Sequence, residues 1–226
     1  MKKLLLDARL AVCASFVRPG NPMADVGTDH GYLPVHLLLE GTIPFAVATD
    51  IRPGPLSRAQ ENAARYGVEK KMSCRLCDGL SAIAPGEVRD IVIAGMGGEM
   101  ILKILAAAPW VLEPGMRLIL QPMTMAPELR RGLSELGLDI HRETAVCAAG
   151  RVYSVLCVQK AAVPQVHDDV WAYMGALQPG LPETRAYAEK TIASLGSREG
   201  GLRHENRTED ADALQALQEK IRERYI

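Results

Sequence analysis

Four aspartates follow apolar, strand-like runs in the first third of the sequence, and carboxylates in such positions can bind a ligand. Asp25 and Asp29 lie in MADVGTDHGYLP, Asp50 ends PFAVATD, and Asp78 ends MSCRLCD. Since parallel strands present their carboxyl ends at one edge of a sheet, the four carboxylates are expected to share one rim. A single acid at a strand end is more often a turn former or helix cap, but four on one rim, with neighbouring glycines, favour a site.

The charge of this rim narrows the class of ligand. NAD and ATP carry anionic phosphates, which bind to backbone N–H groups and helix N-termini, and Asp29 in the turn would repel them. The turn reads GTDHG, so neither G-x-G-x-x-G nor GxxxxGK[ST] is present. S-adenosylmethionine instead carries a ribose, an adenine, a sulfonium cation and an ammonium group. The residues therefore favour this cofactor, with Asp50 at the ribose and Asp78-Gly79 at the adenine amino group.

Strand-like and helix-like segments alternate along the first 160 residues, which predicts an α/β fold with helices on both faces of a parallel sheet. FAVATD, DIVIAG and MRLILQ are nearly all apolar, as in doubly covered strands. DIHRETAVC and RVYSVLCVQ follow, and the Ala-Ala-Gly between them predicts an antiparallel hairpin. Helices are predicted over 3–17, 31–40, 53–66, 98–108 and 127–136. The pattern is typical of a Rossmann-like, seven-stranded class I methyltransferase sheet.

The composition changes after residue 160, which predicts a sheet domain over 1–160 and a connector with a C-terminal helical hairpin over 161–226. The sheet pattern and the acidic rim make the first of these the expected S-adenosylmethionine-binding methyltransferase domain. The connector is expected over 161–181, and helices over 182–197 and 209–225, with SREGGLRHENR as the turn. Leu214, Leu217, Ile221 and Tyr225 recur at three- and four-residue spacing and predict one apolar stripe.

Charge and cysteine content set further expectations. The net charge is −1. Residues 1–160 hold 18 Lys and Arg against 16 Asp and Glu, and residues 161–226 hold 8 against 11. The hairpin is therefore not an obvious electrostatic grip on RNA. The five cysteines are read as reduced thiols, and the lone Cys74-x-x-Cys77 predicts no metal site. The apolar start is interrupted by Asp7 and Arg9, which favours a cytoplasmic protein without a membrane segment.

Five motifs in order resemble a known family. DVGTDHGYLP, ATDIRPGPLSRAQENA, CDGL, DIVIAGMGGEMI and LILQPM, with the pair Arg9-Leu10 before them, are similar to the bacterial tRNA (adenine-22-N1)-methyltransferase family, often called TrmK. The resemblance covers residues 4–160. It implies S-adenosylmethionine-dependent methylation of N1 of an adenine in tRNA, and a C-terminal helical hairpin.

The resemblance also implies roles for individual residues. The predicted cofactor-binding set combines the first turn, the ends of the second and third strands and the end of the fourth: Asp25, Gly27, Thr28, Asp29, Gly31, Asp50, Ile51, Asp78, Gly79, Ala94, Gly95 and Met96. From their place in the turn, and not from the resemblance, Asp29 is the first catalytic candidate and His30 the second, each as a contact to the amino group of the acceptor adenine in tRNA. A capping or packing role for His30 is equally compatible with the sequence.

Alternatives remain open at the level of sequence. The same fold could methylate another RNA base or a small molecule, and a non-catalytic RNA-binding module could retain the cofactor site. A metal-dependent enzyme using Asp29, His30 and Asp50 is a third possibility, although no metal is expected. Lys70-Lys71 with Arg75, and Arg130-Arg131, are candidate phosphate contacts. The expected oligomeric state is a monomer or weak dimer.

Overall fold

Seven strands form one mixed sheet in the computed structural model, which describes residues 4–163 and 167–226. In chain order the strands are β1 (Met23–Val26), β2 (Ala46–Asp50), β3 (Met72–Leu76), β4 (Asp90–Gly97), β5 (Arg117–Thr124), β6 (Leu138–Ala148) and β7 (Arg151–Lys160). The spatial order is β3-β2-β1-β4-β5-β7-β6. β1 to β5 pair in parallel, whereas β7 is antiparallel to both β5 and β6. The expected seven-stranded Rossmann-like sheet with a terminal hairpin is confirmed.

Eight α-helices are found in the described residues. They are α1 (Ala8–Phe16), α2 (Tyr32–Leu39), α3 (Pro53–Tyr66), α4 (Gly98–Ala106), α5 (Ala126–Glu135), α6 (Asp169–Met174), α7 (Pro182–His204) and α8 (Thr208–Tyr225). The sheet is covered on both faces because its strands are apolar on both. Met23 of β1 packs with α1, α2 and α3, whereas its neighbour Ala24 packs in the cluster that contains α4 and α5.

Helices α6 to α8 pack on the edge of the sheet that β6 and β7 form. Their cluster includes Ala145 of β6, Val152 of β7 and buried residues of all three helices. The apolar stripe predicted for α8 is confirmed, since Leu217, Ile221 and Tyr225 are buried and Leu214 packs against the same cluster.

Two predictions for the C-terminal part of the chain, residues 161–226, here called the tail, are wrong. The expected connector over 161–181 contains α6, whose first turn is capped by the Asp168 carboxylate accepting from the Trp171 amide. The expected turn SREGGLRHENR is mostly helical, because α7 continues through Gly200 and Gly201 to His204. The reversal occurs at Glu205–Arg207, where Asn206 takes a left-handed conformation (φ 57°).

Candidate active site

The turn after β1 is built from three left-handed residues. Gly27, Asp29 and Gly31 have φ values of 73°, 49° and 66°, which glycine and aspartate tolerate better than most residues. The amides of Gly27 and Thr28 both donate to the Thr49 carbonyl, at 2.8 and 3.0 Å. These two N–H groups are therefore bound to β2 and are not available to a phosphate.

Asp25 is a buried carboxyl group at the end of β1. The Thr28 hydroxyl donates a hydrogen bond to the Asp25 carboxyl group at 2.5 Å, and Asp25 is 6% exposed. Burial raises the pKa of Asp25 to about 6, opposed by the hydrogen bond from Thr28 and supported by the nearby negative charge of Asp50. A cation bound beside Asp25 would stabilise its ionised form.

Asp50 and Ile51 lie at the end of β2, next to the end of β3. The Asp50 carboxylate is buried and accepts from the Arg52 amide at 2.9 Å. The backbone carbonyl of Asp50 accepts a hydrogen bond from the Cys77 amide at 3.0 Å. This bond holds the chain that leads to Asp78 against β2. Ile51 is 67% exposed, an unusual exposure for an isoleucine. Its side chain is therefore accessible as an apolar surface beside a buried acid.

Asp29 and His30 line a cavity of about 260 Å³ together with Asp25, Thr28 and Ala94. The carboxylate of Asp29 lies 3.5 Å from His30 Nε2 and accepts from Arg58 at 3.2 Å. The His30 ring stacks on Tyr32, with ring centroids 5.1 Å apart. Both catalytic candidates are thus accessible on the wall of one cavity.

The end of β4 forms another wall of this site. Gly95 (φ 80°) interrupts the regular register between β4 and β5, and its amide donates to Gln121 Oε1 at 3.1 Å. The Met96 methyl group packs against Gly27, since a Cβ on that glycine would lie 2.3 Å from it. Glycine at position 27 is favoured chiefly by its left-handed backbone (φ 73°), and it also leaves room for the Met96 methyl group.

Arg9 is a site residue whose position sequence reasoning did not predict. It lines the same cavity as Asp29, and its guanidinium donates to Gln121 Oε1 at 2.7 Å. Asp7 caps α1 and lies 3.5 Å from the same guanidinium. The signal in the sequence is the pair Arg9-Leu10 of the family resemblance. Residue type and spacing alone do not identify Arg9 as a site residue, because its placement depends on how α1 packs across the ends of β4 and β5.

Asp78 and Gly79 lie on a second cavity of about 430 Å³ between the turn after β3 and α4. Met100, Lys103 and Ile104 of α4 line its other side. Gly79 (φ 56°) packs closely on Ile104, 3.1 Å from the position of a Cβ. Gly31 likewise has a packing role, because a Cβ there would lie 3.0 Å from Ala59 and Met72. The structure thus distributes the predicted residues over the ends of four adjacent strands.

Comparisons with known proteins identify this arrangement. The family model described as a methyltransferase domain matches residues 6–156. A tRNA (adenine(22)-N(1))-methyltransferase of Bacillus subtilis strain 168 is 34% identical over 177 residues, which cover 78% of this chain and 74% of that protein. The chain belongs to this family. The resemblance found in the sequence motifs is therefore confirmed.

The similarity to solved structures of this family extends over the tail. The crystal structure of the Bacillus subtilis M1A22 tRNA methyltransferase TrmK has a TM-score of 0.84 at 27% identity, covering 97% of this chain and 98% of that one. The S-adenosyl-L-methionine complex of Streptococcus pneumoniae Sp1610 has a TM-score of 0.77 at 30% identity, covering 95% and 97%. The helical tail is thus included in the shared fold.

The candidate phosphate contacts of the sequence are mostly committed to other partners. Arg130 is fully buried and bonds Glu143 at 2.6 Å, so its prediction as a phosphate contact is wrong. Arg75 pairs with Glu87, and Arg131 lies 3.1 Å from Asp169. Lys70 and Lys71 are exposed and stay candidate phosphate contacts.

Residues 4–163 and 167–226 form neither a metal-binding cluster nor a disulfide. These residues contain no group of three or more His, Cys, Asp or Glu side chains arranged to hold a metal. All five cysteines are free thiols, and burial raises the pKa of Cys13 to about 12, which makes its thiolate unfavourable. No described helix has both the length and the apolar composition needed to cross a bilayer.

Proposed function

We propose that this protein transfers a methyl group from S-adenosylmethionine to N1 of an adenine in tRNA, at position 22. The observation that carries the proposal is the acidic rim beside a turn whose Gly27 and Thr28 amides are already bonded to β2. This chemistry suits a cationic nucleoside and disfavours a polyphosphate. The name of the Bacillus subtilis relative supplies the acceptor position.

The residues at the strand ends fit the parts of this cofactor. Asp50 would accept from the ribose hydroxyls and Ile51 would cover one face of the adenine. Asp78 and Gly79 would meet the adenine amino group. Asp25, the turn residues and the Ala94–Met96 segment would surround the methionine part. The buried carboxyl group of Asp25 supports this placement. Burial raises its pKa, and a cation beside it would stabilise the ionised form.

The chain's catalytic task is mainly positioning. When bound, S-adenosylmethionine supplies an electrophilic methyl group, and neutral adenine N1 already has a lone pair. The walls of the cavity must place N1 in line with that methyl group and exclude water. Asp29 would accept a hydrogen bond from the adenine N6 amino group, which becomes more acidic once N1 carries the methyl group. His30 is the second candidate for that contact, and Tyr32 would hold its ring.

The proposal extends to the organisation of the molecule. Residues 1–160 would bind the cofactor and perform the transfer, and residues 161–226 would support the bound tRNA. Because the proposed substrate is a bacterial tRNA, the protein would act in the cytoplasm. It would act without a metal, as a monomer or weak dimer.

The test is to incubate the purified protein with labelled S-adenosylmethionine and unmodified bacterial tRNA, then digest the tRNA and identify the labelled nucleoside. N1-methyladenosine at position 22 is expected. A tRNA carrying guanosine at position 22 is the matched control and should accept no label at that site. Cofactor binding without labelling of tRNA would exclude the proposed acceptor. Transfer that persists unchanged in a chelator would support the absence of a metal.

A further inference from the structure

A cleft of about 270 Å³ separates the turn between β5 and α5 from the tail. Met123 and Met125 line it from the turn, Tyr173 from α6, and Lys190 and Ser194 from α7. Its volume lies near the lower end of the range of small-ligand pockets, about 300 Å³. The cleft is therefore the size of one small group, not of a duplex or a protein segment.

The charge of this cleft is opposite to that of the acidic rim. Among the described residues that line it, Lys190 is the only charged one, and no carboxylate is present. This is unexpected in a tail where Asp and Glu outnumber Lys and Arg by 11 to 8. The cleft thus provides a locally cationic site in an acidic part of the chain, and an anionic group is the complementary ligand.

The ammonium group of Lys190 is held in place by its surroundings. It donates to the Val152 carbonyl at 2.9 Å and lies 5.7 and 5.6 Å from the ring centroids of Tyr153 and Tyr187. An ammonium group has three donors, so two remain for a ligand beside the one given to Val152. A positioned cation next to aromatic rings is suited to a phosphate and its nucleobase.

The cleft also offers exposed apolar surface. Met123 and Met125 are 37% and 41% exposed, and Tyr173 is half-buried, with its hydroxyl accepting from Arg198 at 3.0 Å. Thioether and aromatic groups of this kind pack well against the flat face of a base.

The cleft and the active site both adjoin β5. Gln121 bonds Arg9 and the amide of Gly95 beside the catalytic cavity, and the next residue, Pro122, lines the cleft. Because consecutive residues of one strand adjoin the two sites, the cleft is a candidate place for a nucleotide next to the one whose base enters the catalytic cavity.

We propose that this cleft binds one nucleotide of the tRNA adjacent to the methylated adenine. The phosphate contacts Lys190 and the hydroxyl of Ser194, and the base packs against Tyr173 and the two methionines. The proposal rests on the proposed tRNA methyltransferase function and adds to it the place where the tail meets the substrate.

The first test adds one negative charge inside or outside the cleft. Ser194→Glu introduces a carboxylate into the cleft, and Ala193→Glu introduces the same charge on the neighbouring exposed position of α7, which does not line it. Ser194→Glu is expected to raise KM for tRNA at least about threefold more than Ala193→Glu does, because only its charge faces the phosphate. Affinity for S-adenosylmethionine, measured by calorimetry, should be equal in both variants. Equal KM values for tRNA in the two variants would overturn the proposal.

The second test removes the cation and measures salt dependence. Lys190→Met is compared with Lys220→Met, which removes an exposed lysine of α8. Loss of one phosphate contact should reduce the slope of log affinity for tRNA against log salt by about 0.7–0.9 in Lys190→Met only. An unchanged slope would overturn the assignment, even if Lys190→Met weakened binding by loosening the fold. No methyl transfer by the wild-type protein to any tRNA would instead overturn the proposed function, and the nucleotide assignment with it.

Discussion

Asp25 lies at the end of a buried strand, with the Thr28 hydroxyl as hydrogen-bond donor to its carboxylate. Its pKa is raised from 3.8 to about 6, chiefly by burial. The folded protein therefore binds more protons than the unfolded chain between about pH 4 and pH 6. In the absence of ligand, this group makes the free energy of unfolding fall as the pH rises through that window.

Asp25→Asn is expected to remove this pH dependence. At pH 7.5 without cofactor, the variant should have a higher free energy of unfolding than the wild type, by up to about 3 kcal/mol, since two pKa units correspond to roughly that value. At pH 4 the two should be nearly equal. Denaturant unfolding at several pH values measures this, with Asp29→Asn as the matched control at an exposed aspartate. A wild-type pH profile in Asp25→Asn would contradict the assignment.

Asp29 is proposed to contact the substrate adenine. Because its side chain is exposed, its replacement should affect catalysis without affecting stability. Its exposed side chain lies 3.2 Å from Arg58 and 3.5 Å from His30, and an exposed ion pair such as the one with Arg58 stabilises a fold by about 0–1 kcal/mol. Asn also tolerates the left-handed backbone found there (φ 49°). Asp29→Asn should therefore lower kcat at least about tenfold and leave thermal unfolding unchanged. Arg58→Met is the control, because it removes the ion pair and keeps the carboxylate. Wild-type turnover in Asp29→Asn would exclude the proposed role.

The sequence predicted the acidic side of the site better than the basic side. Asp25, Asp50 and Asp78 follow apolar runs, and the rule for parallel sheets places such residues on one edge. Arg9 lies in a helix before the first strand, and Arg130 is one of two adjacent arginines in an amphipathic helix. Whether such a residue faces a cavity, solvent or the core depends on packing between distant segments, which composition and spacing do not encode.

At the scale of elements, a glycine at the start of α4 permits the close approach of this helix to the turn before α5. A Cβ on Gly98 would lie 2.2 Å from the Met125 carbonyl, and Met125 itself has a left-handed conformation (φ 57°). The first turn of α4 and the turn before α5 are thus in backbone contact, which places the methionine wall of the cleft beside the end of β4.

The continuous helix α7 is the element that sequence reasoning predicted least well. A Gly-Gly pair usually favours a turn, because glycine loses more conformational freedom in a helix than other residues. Here α8 packs along α7, with Arg203 bonding Asp212 and Gln215, and Gln218 bonding Glu199. These contacts across the hairpin stabilise the helical conformation on both sides of the glycine pair.

Replacing the glycines tests the continuity of α7. Gly200 and Gly201 do not have positive φ, and a Cβ at either would meet no atom within 4 Å. Gly200→Ala and Gly201→Ala should each raise the free energy of unfolding by about 0.5–1 kcal/mol. Gly196→Ala is the control within the same helix, since its Cβ would lie 3.3 Å from Gln218 and its gain should be smaller. Destabilisation by both Gly200→Ala and Gly201→Ala would indicate a turn at this position instead of a helix.

At the scale of the whole molecule, Arg130 joins the sheet to the tail. It bonds Glu143 of β6 at 2.6 Å and the carbonyls of Ala172 and Tyr173 at 2.9 and 2.8 Å. The Tyr187 hydroxyl of α7 lies 3.2 Å from the same guanidinium. A buried charge pair requires such partners, because removal of charges from water is costly unless their hydrogen bonds are satisfied.

Arg130→Met should lower the free energy of unfolding by about 3–5 kcal/mol, because it leaves Glu143 buried without its partner. The double variant Arg130→Met with Glu143→Leu should recover part of this loss, since neither charge then remains. Arg131→Met is the matched control: the adjacent arginine pairs with Asp169 at the surface, and its loss should cost about 0–1 kcal/mol. Denaturant unfolding of the four proteins measures the comparison. Equal stabilities for Arg130→Met and Arg131→Met would contradict the proposed importance of the buried pair.

The overall architecture could be predicted from the order of strands and helices, including the antiparallel hairpin at the edge of the sheet. The docking of the tail could not, because it depends on side chains such as Glu143 and Tyr187 that are separated along the chain and have no periodic pattern. Local periodicity specifies which face of α8 is apolar, but not the surface on which that face packs.

The partners of Arg130 appear in a fixed order during synthesis of the chain. Arg130 and Glu143 emerge from the ribosome first, and the carbonyls of residues 172 and 173 and the Tyr187 hydroxyl follow. The hydrogen bonds of the guanidinium are therefore complete only after residue 187 has emerged. A chain arrested at residue 160 would lack three of the groups that satisfy this arginine.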